Sequence, residues 1–313
     1  MFFRRLSKHF LSANTSSRVA HHLKRDFSEI PVTQITKSNM AEHGCMGKTL
    51  GVIMQRLQEF APLAYASSWD NVGLLVDPNI DAPIDTILLT NDLTEDIVEE
   101  AKCAKASLII SYHPNIFQGL KSVAKRTWKE RIVVECIKNG IAVFSPHTSW
   151  DAVSGGVNDW LARSLPVKTS MPILQQIPNM PHVGPGRYVT LSEPVSIKMA
   201  VGMIKQHIGI KHLRLALGRR KSEESLLFTM ALCAGSGSTI LNGVEADLFL
   251  TGEMMHHDIL DATQRGISVI LCNHSDSERG FLHEFRSTLE KKILKDETRV
   301  IVSKIDRDPL VTV

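Results

Sequence analysis

The chain has 313 residues, enough for one large domain or two small ones with a real core. Its 43% hydrophobic and 22% charged content are ordinary for a globular protein, and no apolar run approaches the length of a membrane span. Six of its 36 Lys/Arg lie in acid-free residues 1–25, which leaves 30 bases against 33 acids, net −3, in the other 288 residues and excludes a bulk attraction to nucleic acid.

The first 45 residues look added on. "MFFRRLSKHFLSANTSSRVAHHLKRDF" is Arg-rich, contains Ser and has no acid before Asp26. Phe3, Leu6 and Phe10 share one helical face. This is the composition of a mitochondrial transit peptide, and the plainer alternative is a disordered basic tail. Met40 and Met46 are alternative starts that would give a soluble cytosolic form.

From Met46 onward the pattern becomes regular. Val52, Ile53, Leu57 and Phe60 form a helical stripe ending near Pro62. "SSWDNVGLLV" reads as a turn and strand, and "TILLT" (86–90) as a buried strand. "TEDIVEEAKCAKA" predicts a helix capped by Thr94, and "LIISYH" a strand. "WKERIVVECIKNG" predicts a helix closed by Gly140, "IAVFSPH" a strand, and "GVNDWLARSL" a helix. Residues 167–195, with their cluster of prolines and glycines, read as a linker too short for an inserted domain. Alternation then resumes. A helix is predicted near Ile197–His207, strands at 212–217 and 227–233, the glycine loop "CAGSGS", and the strand "ADLFLTG" before another helix. Val269–Leu271 reads as a strand. Ser275 reads as the N-cap of a helix carrying Phe281, Leu282 and Phe285, and "TRVIVS" as a last strand. These signals predict an α/β fold with two lobes, about 46–166 and 196–313, in mixed, largely parallel sheets. The five cysteines, Cys45, Cys103, Cys136, Cys233 and Cys272, show no CxxC pairing. They read as reduced thiols of an intracellular protein.

Polar residues gather just after strands. The strand 108–112 delivers Tyr112 and His113, and His147 and Asp151 lie beyond 141–145. Glu253, His256 and His257 follow 246–251, and His274 and Glu278 follow 269–271. Taken singly, each is a packed histidine, a cap or a surface acid. Four such groups at one sheet edge suit a divalent transition metal: Zn, Fe or Mn. No G-x-S-x-G elbow supports a serine triad. Cys233 lies inside an apolar run, which disfavours a Cys–His nucleophile. "CAGSGS" is a weak phosphate signal and a natural tight turn.

Together, "SWDNVGLLV", "SYHPNIF", "SPHTSWDAVSGGVNDWLA", "LALCAGSGS", "ADLFLTGEMMHHD" and "ILCNHSDSERG" resemble the Nif-three-like family, also called GTP cyclohydrolase I type 2-like. The resemblance runs from about Met46 to Val313. "TNDLTED", "CAGSGS" and "DRDPL" favour its eukaryotic branch, and the short 167–195 stretch favours a form without an inserted middle domain. It implies two facing α/β lobes with a dinuclear metal centre between them, and homo-oligomers, either dimers or rings of dimers. It implies His113, Asp151, His274 and Glu278 as metal ligands. Tyr112 stands where the family has its first His. A phenol with a pKa of about 10 is a poor ligand, so one tight ion and at most a weak second are expected. Glu253 and His147 are the catalytic candidates by this resemblance, and His256 and His257 would support the ligands. The function it implies is that of a metal-binding partner of transcriptional regulators, of corepressor type, in cytoplasm and nucleus. Mitochondrial delivery follows if the leader is used. The alternative it implies is a metal-dependent hydrolase of a nucleotide-like or phosphorylated small molecule. Neither a membrane nor direct nucleic acid is expected as a partner.

Overall fold

The computed structural model describes residues 47–313; the basic leader, Met40, Cys45 and Met46 lie outside the described residues. The first half of the chain forms helix α1 (Leu50–Phe60), β1 (Gly73–Val76), β2 (Thr86–Thr90), helix α2 (Glu95–Cys103) and β3 (Leu108–Ser111). Helix α3 (Trp128–Lys138), β4 (Ala142–Ser145) and the short helices α4 (Thr148–Ala152) and α5 (Val157–Ala162) follow. A reciprocal cap starts α3: the Glu130 N–H donates to Thr127 Oγ1, and the Thr127 N–H to Glu130 Oε2. Gly140, at φ 61°, turns the chain beyond its C-terminus.

The second half adds β5 (Val167–Met171), β6 (Arg187–Ser196), α6 (Ile197–Ile208), β7 (Arg214–Ala216) and β8 (Leu226–Ser236). Helix α7 (Ser238–Leu241), β9 (Leu248–Glu253), α8 (His256–Gln264), β10 (Ser268–Leu271), α9 (Asp276–Ser287) and β11 (Arg299–Val302) complete it. Among the described residues, no helix is long and apolar enough to cross a membrane.

Two mixed sheets result. The first runs β1-β4-β3-β2-β11, parallel except for β1 against β4. The second runs β5-β6-β8-β9-β10-β7, with only β8, β9 and β10 mutually parallel. Side chains alternate along each central strand as the pleat requires. Ile87, Leu89, Leu108, Ile110 and Phe144 of the first sheet share one core with Met230, Leu232, Leu248, Leu250 and Ile270 of the second. That core includes residues of α1, α5, α6 and α9. The alternate residues Leu88, Ile109 and Val143 pack against α2 and α3, and Ala231, Phe249 and Val269 pack with residues of α7 and α8.

Three expectations are corrected here. Residues 167–195 are no plain linker: they contain β5 and most of β6. Strand β5 is an edge strand with little buried surface, so it lacks an apolar run to read. The lobes do not divide cleanly at 196, because β11 crosses back to pair with β2. The glycine loop is also shorter than predicted, since β8 continues through Gly235 to Ser236 with a register shift after Cys233. Ser275 does hold the N-cap position of α9, but its hydroxyl donates to Asp308 instead of capping the helix.

Helix α9 lies against α5 closely enough to require a glycine. A Cβ on Gly280 would fall 2.2 Å from Cζ2 of the Trp160 ring. Ala in place of helical Gly gains about 0.5–1 kcal/mol from backbone entropy, while overpacking costs about 1–3 kcal/mol. Gly280→Ala should therefore destabilise the fold by about 1–2 kcal/mol, read as a lower midpoint in urea unfolding with the slope unchanged.

Candidate metal centre

The carboxyl ends of β2, β3, β9 and β10 carry the chemistry. The β2–β3 ladder continues past Ser111: the Tyr112 N–H donates to the Thr90 carbonyl and the His113 N–H to the Asn91 carbonyl, both at 2.9 Å. His113 is thus fixed on the first sheet. In the second sheet, the Cys272 N–H donates to the Thr251 carbonyl at 3.0 Å, and Asn273 turns the chain at φ 64°. His274 follows that turn, and Glu278 lies on the first turn of α9.

These elements bring His113, His274 and Glu278 together, with one donor atom from each lying within 4.8 Å of the others. Glu278 is buried. His113 Nε2 stands 3.4 Å from its Oε2, and His274 Nε2 stands 3.5 Å from its Oε1. A charged hydrogen bond would be about 2.7–2.9 Å long. Ligands about 2.0–2.2 Å from a shared cation sit roughly 3.4 Å apart when tetrahedral. The spacing therefore fits a group that could hold a metal ion better than one that closes on itself. An orphaned acceptor points the same way: Asn91 donates Nδ2–H to Glu278 Oε2 at 3.1 Å, while its buried Oδ1 has no hydrogen-bond partner among the described residues.

Carboxylates behind the rings turn both Nε2 atoms inward. His113 Nδ1 pairs with Asp92 Oδ1 at 2.9 Å, and His274 Nδ1 with Glu253 Oε1 at 2.8 Å. Burial opposes charge on His113, but Glu278 and Asp92 outweigh it and hold its pKa up at about 10. Burial likewise opposes charge on Glu278, yet His113 and His274 pull its pKa below the ordinary value. The tail beyond β11 braces this edge: Asp306 accepts from the Asn91 N–H at 2.8 Å and from Arg279 Nε at 3.2 Å.

Two glycines let the strands converge. Gly235 has φ 67°, and a Cβ there would fall 2.5 Å from Glu278 Oε1. On Gly252 it would meet the Asn273 and Gly235 carbonyls at 2.6 Å. The "CAGSGS" stretch thus serves close approach to Glu278 and His274. A cavity of about 420 Å³ opens over the group, lined by Asp92, His113, Arg214, Glu253, His274 and Leu310 among others.

The remaining expected residues take other places. Asp151 lies outside the group of His113, His274 and Glu278 and accepts a short hydrogen bond from the Tyr112 phenol. Burial, offset in part by His147 and Tyr112, raises its pKa to about 6. Tyr112 is itself buried, which with Asp151 pushes its pKa well above the usual value. His147 pairs with Asp70 instead of joining the group. His256 and His257 are exposed, stand edge to face with each other at 5.3 Å, and also lie outside it. Asp92, Asn91 and Asp70 were missed by sequence reasoning. Asp92 follows β2 just as His113 follows β3, so the rule that found the histidines could have found it.

The family described as Duf34/NIF3 (NGG1p interacting factor 3) matches residues 48–309. NIF3-like protein 1 of Drosophila melanogaster is 46% identical, over 85% of this chain and 90% of its own. The Homo sapiens protein of the same name is 38% identical over 84% and 92%, and NGG1-interacting factor 3 of Saccharomyces cerevisiae 35% over 83% and 96%. A Staphylococcus aureus hypothetical protein of solved structure superposes with a TM-score of 0.75 at 25% identity, over 85% of this chain and all of that one. A Bacillus cereus protein related to NIF3 gives 0.70 at 20% identity, over 83% and 98%, a likeness of fold alone.

The raised pKa of His113 has a sign that can be tested. A group held above its free value of 6.5 stabilises fully below that pH and loses its contribution as pH rises through about 10. With chelator present, unfolding free energy measured in urea at pH 7, 8.5 and 10 should fall across that window. His113→Ala should show a flatter slope than wild type.

Proposed function

The chain belongs to the Duf34/NIF3 family, and we propose that it is a divalent-metal-binding interaction protein that engages transcriptional regulators. The observation that carries the metal reading is the convergence of His113, from the end of the first sheet, with His274 and Glu278, from the turn and helix that follow β10. Two imidazoles and one carboxylate are the donor set of Zn, Fe or Mn. The partner reading leans on one relative, since the Saccharomyces cerevisiae protein is named as an NGG1-interacting factor. We place this chain among homo-oligomers that work by binding.

The protein's own residues divide the work. His113, His274 and Glu278 supply the donors. Asp92 and Glu253 hold the two rings by their Nδ1 atoms and so select the inward-facing tautomer. Tyr112 occupies one lone pair of Asp151 and keeps that carboxylate hydrogen-bonded. One tight ion per chain is the occupancy this arrangement favours. Asp151 joins a second site only where the phenol is replaced.

A second reading, metal-dependent hydrolysis of a phosphorylated small molecule, is favoured by the cavity over the ligands. Such an ion supplies Lewis-acid polarisation of an oxygen-bearing group when bound. Glu253, at the cavity wall, is then the residue placed to hold or move a proton.

Elemental analysis of the purified chain should find about one Zn, Fe or Mn per chain. His274→Ala and Glu278→Ala should remove it, and His256→Ala should not. Glu253→Gln should weaken the affinity about 10–100-fold by freeing the ring, and Tyr112→His should raise occupancy towards two. A wild-type chain that stays empty after reconstitution with all three ions rejects the reading.

The hydrolase reading is decided by a turnover screen of metal-loaded protein against phosphate esters. Product formation abolished by Glu278→Ala supports it. Full metal occupancy without turnover leaves the binding reading standing.

A further inference from the structure

The second sheet ends on β7, which pairs only with β10. The Ser268 and Cys272 N–H groups donate to the Asp247 and Thr251 carbonyls on the β9 side. Backbone groups alternate along a strand, so Val269 and Leu271 turn to β7 and meet Ala216 and Arg214 across the ladder. Leu215 lies between those two, and its N–H and C=O therefore point out of the sheet. No strand lies beyond them among the described residues.

The side chains along this edge are of two kinds. Residues 211–221 carry five Lys/Arg and His212 and no acid, in a chain that is net negative beyond its leader. Lys221 pairs with Asp247 at 3.1 Å, whereas Lys211, Arg214, Arg219 and Arg220 are exposed and make no ion pair among the described residues. Between the charges the strip is apolar. Leu213 and Leu215 are half-buried against the core between the sheets, and Leu217 is exposed. On the α8 side a cavity of about 120 Å³, lined by Ala216, Ile259, Val269 and Leu271 among others, has room for one aliphatic side chain. No Phe, Trp or Tyr lies in 211–221 or lines that cavity, so the edge lacks the stacking platforms of a single-stranded nucleic-acid groove.

We propose that the β7 edge takes an extended acidic peptide of a partner protein as an added strand, with acids beside Lys211, Arg214, Arg219 and Arg220 and one apolar side chain in the cavity between β7 and α8. Main-chain hydrogen bonds supply the affinity of such a pairing, and the side-chain cavity supplies its selectivity. An open edge is ordinarily guarded by charge. Here the guard has one sign, which repels the same edge of a second copy and admits an acidic strand. The inference deepens the interaction-protein reading above and rests on it, but not on its metal half.

The test is fluorescence anisotropy on the full chain with a short labelled peptide alternating Glu and Val. At low salt it should bind at least about tenfold tighter than a Lys/Val peptide of equal length, and weaken as salt rises. N-methylation of its alternate amides removes main-chain donors without changing its charge, and should abolish binding. Arg219→Glu with Arg220→Glu should weaken binding about tenfold. Lys121→Glu with Lys125→Glu, exposed in the loop before α3, should leave it unchanged. The inference is overturned if the Glu/Val peptide does not bind, if the N-methylated form binds as well, or if the reversal at Arg219 and Arg220 has no effect. It is also overturned if a labelled oligothymidylate binds more tightly, or if that reversal changes the particle mass in light scattering, because the edge is then a nucleic-acid or self-association surface. Binding that survives the reversal moves the peptide to another surface and leaves the interaction reading standing, and metal content enters none of these outcomes.

Discussion

A carboxylate buried between two sheets is the constraint around which this molecule is arranged. Glu278 is shielded from water, and an unpaired carboxylate in such a place would be strongly destabilising. Its partners come from both sides: His113 and Asn91 from the ends of the first sheet, and His274 from the end of the second. Satisfying one side chain therefore fixes how the two sheets meet at this edge. The Asp92–His113 and Glu253–His274 pairs extend the same requirement outward to the ends of β2 and β9.

Below this polar layer the buried face of the same helix is apolar. Phe281 and Phe285 of α9 pack on Trp150, with the Phe285 ring centroid 4.4 Å from that of Trp150. One helix thus presents a carboxylate at its first turn and an aromatic plug along the rest of its buried face. The plug excludes water from beneath the site, which strengthens every charge interaction above it. Gly235, Gly252 and Gly280 serve the same end, since each allows backbone or ring to approach where a side chain would hold the layers apart.

The α/β class, most elements and the polar strand ends that converge were legible in the sequence. Buried parallel strands are continuous apolar runs, and polar residues just beyond them stand out against that background. His113, His274 and Glu278 were visible for this reason. Asp151 was read as an equal partner because spacing says nothing about which hydrogen bond a carboxylate will make; its capture by Tyr112 depends on a contact between β3 and α4. The strands β5 and β6 were hidden by exposure in one case and by Pro194 at a register shift in the other. Asp70 and Asp92 were hidden differently, because acids beside turns are common and only the ring behind which each sits gives it meaning.

The return of β11 to the first sheet has a consequence for how the protein is made. Val300 pairs with Ile87, and the Thr298 hydroxyl reaches the Ile84 carbonyl across 214 positions of the chain. A nascent polypeptide emerging from the ribosome cannot complete its first sheet until β11 has been synthesised. Contacts this distant in sequence slow folding. A product lacking β11 would expose the β2 edge to its neighbours. Asp306, which anchors Asn91, comes later still. The β2 end that carries Asn91 and Asp92 is therefore braced only once the segment after β11 has been made, later than every strand of both sheets.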